Sequence, residues 1–358
     1  MRTRKAIVLA VVAALAYSLS IPSSKILLNH MEPTMLAALL YLGAGLGMSL
    51  WQLKYARKKK LAKRQLLERS DAFYTVGMVV LDIAAPILLL FGVARTSAAS
   101  ASLLNNFEIV ATSMIALILF KETISRRLWI GIGMSVVASV LLSVDLTGET
   151  GLVGVDVGAL LVLAACVCWG IENNFTRCIS NKSSEQIVII KGFGSGFGSL
   201  CVALILGNNF PNPLWVVAAM LLGFVAYGLS ISWYIRAQSA LGAAKTSAYY
   251  AVAPFIGALL SLVFLGERPS AIFYVALLIM IAATVVVAHD TISAQHTHEH
   301  VHIHTHEHSH GDLVHTHPHA HSHSHYHAHA ANDESIHVHT HPNHLGHNRD
   351  SSGHQHLS

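Results

Sequence analysis

Between Ala6 and Ala288 the chain alternates long apolar runs with short polar connections, the runs mostly 19 to 24 residues long. A helix needs about 20 apolar residues to cross the hydrocarbon core of a bilayer. The pattern therefore predicts ten spans, at 6–28, 34–53, 73–93, 98–120, 127–145, 157–179, 185–206, 214–235, 246–265 and 270–288. After residue 290 it changes to polar sequence in which histidine takes every second position, as in "HTHEHVHIHTHEHSH" (296–310).

Composition agrees with the spans. The chain is 53% hydrophobic, only 12% charged, and has a mean hydropathy of +0.52, whereas a soluble domain carries about 25% charge. The start, "MRTRKAIVLAVVAALAYSLS", lacks a small-residue cleavage site followed by a soluble domain and reads as a first span. Cys166, Cys168, Cys178 and Cys201 fall in spans and form no CxxC, so a disulfide framework is not expected.

Charge gives an orientation. Eighteen basic residues fall at the N-terminus and in the loops after spans two, four, six and eight, eight of them in "KYARKKKLAKRQLLERSD". The other side has Arg95, Arg268 and Lys25, and its longest loop, "DLTGETGLVGVD", is acidic. The positive-inside rule puts both termini in the cytoplasm and the protein in a bacterial cytoplasmic (inner) membrane.

The halves resemble each other. At a shift of 145 residues "SAASASLLNNFEIVATSMIALILFKETIS" (97–125) lies over "GAAKTSAYYAVAPFIGALLSLVFLGERPS" (242–270). Ala98 and Ala99 match Ala243 and Ala244, and Glu122 matches Glu267; near the half starts Tyr17 lies over Trp169 and Lys25 over Arg177. Five spans per half is odd, so the copies are expected in opposite orientations, with a site near the midplane between them. The expected fold is an all-α integral membrane protein, ten transmembrane helices as two inverted five-helix repeats (1–149 and 150–290), plus a disordered His-rich tail (291–358).

The "LFKE" and "FLGE" turns, with "CWGIENNFTR" (168–177), "LLNNFE" (103–108) and "KTSAYYAVAPFIGALLSLVFLGE" (245–267), resemble the drug/metabolite transporter superfamily, EamA type. The resemblance covers 6–288 and implies a secondary transporter of amino acids, metabolites, nucleotide sugars or drugs. Departures are the second span, "TMLAALLYLGAG", without the arginine many members carry, and Ile109 at the position matching Pro254.

Ionisable residues at bilayer depth are costly and face protein or a water-filled path. They are Asp82, Glu108, Glu172 and Lys191. Asn105, Glu108 and Thr112 share a helix face, either as a cation or proton site or as a helix start near the interface with Glu108 bonded to a neighbouring helix. Glu172 has Asn173 and Asn174 beside it and Thr176 one turn on. Asp82 lies four residues before Pro86, and a salt bridge to Lys191 is its structural alternative. Tyr249 and Tyr250 match the fourth-span stripe and are candidates to line the pathway. "GFGSGFGS" (192–199) reads as close helix packing, and Glu122 and Glu267 as helix-end caps. The basic loop 54–69 suits anionic lipid headgroups; nucleic-acid binding is not expected. No nucleophile–base pairing or ATP motif is present, so the chain reads as no enzyme, requires no cofactor, and takes a gradient as its energy source.

The tail holds 23 of the 25 histidines. Imidazole is a common ligand of Zn, Ni and Co ions. His296, His298, His300, His302, His304, His306, His308 and His310 form one block. His315, His317, His319, His321, His323, His325, His327 and His329 form a second. Their varied spacers look native rather than like an added tag. Two cargoes stay open: a divalent transition metal, with the tail collecting ions, or an amino acid or metabolite, with the tail regulatory or buffering. The expected partners are the bilayer and that small-molecule or metal-ion substrate, in a monomer or homodimer.

Overall fold

In a computed structural model the described residues are 3–56, 67–120, 125–145, 154–179, 182, 184–241, 246, 249–293, 295–310 and 313–328. The described residues up to Ser293 are almost wholly helical. The first half of the chain contains α1 (Thr3–Ser18), α2 (Ser20–Leu27), α3 (Pro33–Ala56), α4 (Ala72–Arg95), α5 (Ala98–Leu104), α6 (Phe107–Phe120) and α7 (Arg126–Leu142). The second contains α8 (Val157–Cys178), α9 (Ser184–Ile205), α10 (Pro213–Gly223), α11 (Ser230–Leu241), α12 (Ala253–Phe264) and α13 (Ala271–Ser293).

Among the described residues eight helical stretches are long and apolar enough to cross a membrane. The predicted fifth span is the 17-residue α7, which stops at Leu142 because Val144–Asp145 (β1) pairs antiparallel with Gly154–Val155 (β2). The predicted ninth span is described as the 12-residue α12 behind a turn at Ala251–Val252. Among the described residues two more spans are segmented. The first breaks at Leu19, where Pro22 has no N–H to give the Ser18 carbonyl. The fourth breaks at Asn105–Asn106.

The main helix contacts join the two halves of the chain: α4 packs on α8, α3 on α9, α1 on α11, α5 on α12, α7 on α13, and α6 on α8. Small residues permit the closest of these. Gly192 and Gly196 face α3, and Gly194 and Gly198 face Val79 and Ile83 of α4, so "GFGSGFGS" serves two partners from two sides of one helix. All four cysteines are free thiols.

Glu267 shows why the "FLGE" turn has its form. Gly266 follows the end of α12 with a positive φ of 66°, a backbone conformation that glycine adopts without strain. The turn sends Glu267 to the start of α5, where the Ala98 and Ala99 N–H groups donate to its two carboxylate oxygens at 2.7 and 2.8 Å. A carboxylate at a helix N-terminus satisfies orphan donors and complements the dipole. Glu267→Ala is expected to cost about 1–3 kcal/mol, read as a lowered unfolding temperature of the purified protein. Glu122, its sequence counterpart, lies outside the described residues.

The backbone of Gln295–His310 (β3) and Leu313–Ala328 (β4) forms a two-stranded antiparallel ribbon, where disorder was expected. Strict period-two alternation is the pattern of a strand, and composition alone does not register it. The pairing sets histidine opposite histidine at seven positions, from His296↔His327 to His308↔His315.

Candidate functional site

Three helices bring the intramembrane charges together. Asp82 sits ten residues past the start of α4, Glu172 late in α8, and Lys191 early in α9. The Lys191 Nζ donates to Glu172 Oε1 at 2.9 Å and lies 3.2 Å from Asp82 Oδ2. Both carboxylates are buried, 1% and 2% exposed in their side chains. The sequence alternative of an Asp82–Lys191 salt bridge is thus half the arrangement, for the ammonium is shared.

The sharing is unequal. Glu172 Oε1 also accepts a hydrogen bond from Thr176 Oγ1, one turn on. Asp82 Oδ1 accepts only a long bond, 3.3 Å, from the Tyr41 hydroxyl, and its Oδ2 makes no hydrogen bond despite the nearby ammonium. The α4 helix runs unbroken through Pro86, but proline has no N–H, so the Asp82 carbonyl loses its i+4 donor.

Glu108 stands in the first turn of α6, where the helix dipole favours a carboxylate. Asn173 Nδ2 donates to Glu108 Oε1 at 2.8 Å and to Thr112 Oγ1 at 3.2 Å, which ties α8 to α6. Asn174 donates to the Thr112 and Gly170 carbonyls, so the run "ENN" splits: Glu172 to the lysine, Asn173 to the carboxylate, Asn174 to backbone.

The break between α5 and α6 lies beside this cluster in sequence. Cys166 Sγ approaches the Leu104 and Asn105 carbonyls at 3.6 and 3.9 Å. Asn105 Nδ2 donates to the Tyr17 hydroxyl at 3.2 Å. Ser102 Oγ, Asn105 Oδ1 and both side-chain polar atoms of Asn106 are buried without a protein partner. Unpaired buried polar atoms are rare and concentrate at functional sites.

Tyrosines extend the polar region. Ring centroids are 5.6 Å apart for Tyr41 and Tyr227, 6.0 Å for Tyr227 and Tyr17, 5.6 Å for Tyr17 and Tyr250, and 5.0 Å for Tyr250 and Tyr234. Tyr227 belongs to a π-helical turn, Phe224–Leu229, between α10 and α11. Tyr250 shares a 2.9 Å hydrogen bond with Ser230. Tyr249 is exposed, because consecutive helix positions differ by about 100° and only one of the pair faces inward. Of the pathway candidates, Asp82, Asn105, Glu108, Glu172, Asn173 and Tyr250 enter this region, and Tyr249 does not. Tyr17, Tyr41, Tyr227 and Asn106 were missed from sequence; Tyr17 carried one signal, its match with Trp169.

At the basic-loop end, Lys182 ion-pairs with Glu68 and Asp71 at 3.2 and 3.3 Å, which links the α8–α9 connection to the start of α4. The Glu68 hydrogen bond, aided by Asp71, holds its ammonium above the ordinary lysine value. A cavity of about 640 Å³ opens at the other end, lined by Asn29, His30, Glu32, Arg95 and Phe210 among others. Arg95 is thirteen residues along α4 from Asp82, roughly 20 Å, so this cavity is not the ionic cluster. Among the described residues no group of three or more His, Cys, Asp or Glu converges to hold a metal ion. The tail histidines are described through their backbone only, and His329 lies outside the described residues.

Eight apolar spans packed around buried, internally paired charges define a multi-pass membrane protein of the transporter kind. The chain belongs to the EamA-like transporter family, whose model matches it twice, over residues 4–144 and 156–288. It is similar to an uncharacterized transporter of Methanothermobacter thermautotrophicus, 26% identical over 270 residues that span 72% of this chain and 78% of that protein. It is also similar to the uncharacterized transporter YyaM of Bacillus subtilis, 20% identical over 239 residues, 65% of this chain and 77% of the other. One solved crystal structure, 16% identical, shares the fold with a TM-score of 0.57 over 79% of this chain and 95% of its own.

Proposed function

We propose that this chain is a gradient-driven, alternating-access transporter. A small polar solute crosses between two inverted repeats past Asp82, Glu108, Glu172, Asn173 and Tyr250. The observation that carries the reading is the meeting of the intramembrane charges where α4, of the first repeat, packs on α8 and α9, of the second. The broken helices support it. Both fourth-in-repeat spans are interrupted within one residue of the same aligned place, at Asn105–Asn106 and Ala251–Val252, and interrupted spans of this kind surround transporter binding sites. The 640 Å³ cavity is then the outer vestibule. Ten spans, with both termini in the cytoplasm of a bacterium, complete the topology.

The tail favours a second reading of the cargo, a divalent transition metal. Seven cross-strand histidine pairs form a ladder suited to Zn, Ni or Co ions. The membrane region supports an organic solute instead, since its carboxylates are engaged by Lys191 and Asn173. In that case the tail buffers or senses metal.

The test is flux in proteoliposomes for a panel of metals and amino acids, with full-length protein and a truncation to residues 1–294. Glu172→Gln and Glu108→Gln are each expected to lower flux of the accepted solute at least tenfold. Normal flux in both variants would sink the pathway. Metal flux that survives truncation makes the ion the cargo; metal-dependent flux of an amino acid that loses its metal dependence makes the tail a regulator.

A further inference from the structure

Lys191 and Glu172 belong to the same repeat, on adjacent helices α9 and α8, and their contact is the hydrogen-bonded one at 2.9 Å. Asp82 belongs to the other repeat, and its contact with the ammonium, 3.2 Å, is the poorly aligned one. A rigid movement of one half of the chain against the other keeps the Lys191–Glu172 pair together. It separates Asp82, which keeps only the Tyr41 hydroxyl of its own repeat. A buried carboxylate stripped of its counter-ion does not stay charged; it takes a proton.

We propose that Asp82 is a proton-binding site coupled to the movement of the repeats. Its carboxylate holds Lys191 in the conformation described, and it binds one proton when Lys191 leaves. The step balances. The Asp82 carboxylate gains a proton and becomes a neutral acid, while the Lys191 ammonium keeps its charge on Glu172. The proposal rests on the transport reading above and adds to it the identity of the coupling ion.

The surroundings of Asp82 support this assignment over its neighbours. Tyr41 faces it from α3, Glu172 from α8 and Lys191 from α9, with Tyr227 of the π-helical turn in electrostatic range. Lys25 of α2 is engaged elsewhere, at the far end of α4, on the Val93 and Thr96 carbonyls at 2.5 and 2.7 Å. Glu108 of α6 acts on Glu172 and Lys191 and has its own amide donor, Asn173. Two carboxyls therefore share one ammonium, with a third, Glu108, in electrostatic range. Asp82, the least hydrogen-bonded and the one from the opposite repeat, is where the excess charge is most cheaply neutralised.

The experiment uses full-length protein in nanodiscs, with spin labels on the basic-loop ends of α4 and α9 in a cysteine-free background. Distances are measured from pH 5 to pH 9. Wild type is expected to shift from one distance population to another as pH falls. Asp82→Asn, which mimics the protonated acid and keeps the Tyr41 contact, is expected to hold the low-pH population throughout. In parallel, infrared difference spectra of unsubstituted protein are expected to gain a carboxylic-acid band over the same pH range, which does not depend on any variant folding. Two populations that ignore pH, or a pH response that persists in Asp82→Asn, overturn proton binding at Asp82 while leaving alternating access intact. A single population at every pH, with no acid band and no flux in the liposome panel, removes both.

Discussion

Lys191→Met is expected to destabilise the folded protein by about 3–5 kcal/mol, the cost of leaving buried charge without its partner. Methionine approximates the length of the lysine stem and removes the ammonium. Asp82 and Glu172, 1% and 2% exposed, then face each other with no cation between them. The measurement is thermal unfolding of purified protein in detergent. Adding Glu172→Gln to Lys191→Met is expected to restore at least half the loss, because it leaves one carboxyl instead of two to be held without the ammonium or neutralised by a proton. A double-mutant cycle separates this coupling from simple loss of packing. Unchanged stability in the single variant would show that the ion pair contributes nothing.

Gly192→Val is expected to cost about 3 kcal/mol or more and to abolish transport. A Cβ at Gly192 falls 2.5 Å from Gly45 Cα and 2.6 Å from Gly45 N, backbone atoms with no room to yield. Overpacking of this kind costs about 1–3 kcal/mol, more where the obstacle is rigid. The displaced helix is α9, and the neighbouring residue is Lys191, so the ammonium moves with it. Gly133 of α7 is the control: a Cβ there meets nothing within 4 Å, and alanine is expected to be neutral or stabilising by up to about 1 kcal/mol. Equal behaviour of the two substitutions, by unfolding temperature and flux, would remove the packing argument.

The membrane-spanning character and the membership of the family were legible in the residues, because bilayer thickness writes directly into composition and the motifs that carry the resemblance stand in the spans. So were the charges of the site. Asp82, Glu172 and Lys191 announce themselves as ions in apolar sequence, and the Glu267 cap followed from its place at a helix end. The tyrosines did not. Tyr41 and Tyr227 look like any aromatic in a span, and only the crossing of α3 with the π-helical turn brings their rings within 5.6 Å. Tyr249 and Tyr250 were inseparable without the helix phase. The break at Asn105–Asn106 was hidden for a related reason. Two asparagines in an apolar run read equally as a polar stripe or as a turn, and neighbouring helices decide between them.

The π-helical turn at Phe224–Leu229 has a consequence of its own. Such a turn holds one residue more than the α-helical winding it replaces. The helix on either side is therefore set about 100° out of phase with where a regular helix would carry it. That phase step lets one continuous span face two partners: α10 lies on α3, and α11, past the turn, on α1. It is held at both ends, at Gly223 by close approach to the Leu40 carbonyl and at Ser230 by a hydrogen bond to the Ala13 carbonyl. An inserted residue of this kind can migrate along a helix one position at a time, exchanging hydrogen bonds as it goes. Here the turn sets the helix phase that brings Tyr227 to within 5.6 Å of Tyr41 while both of its ends stay anchored.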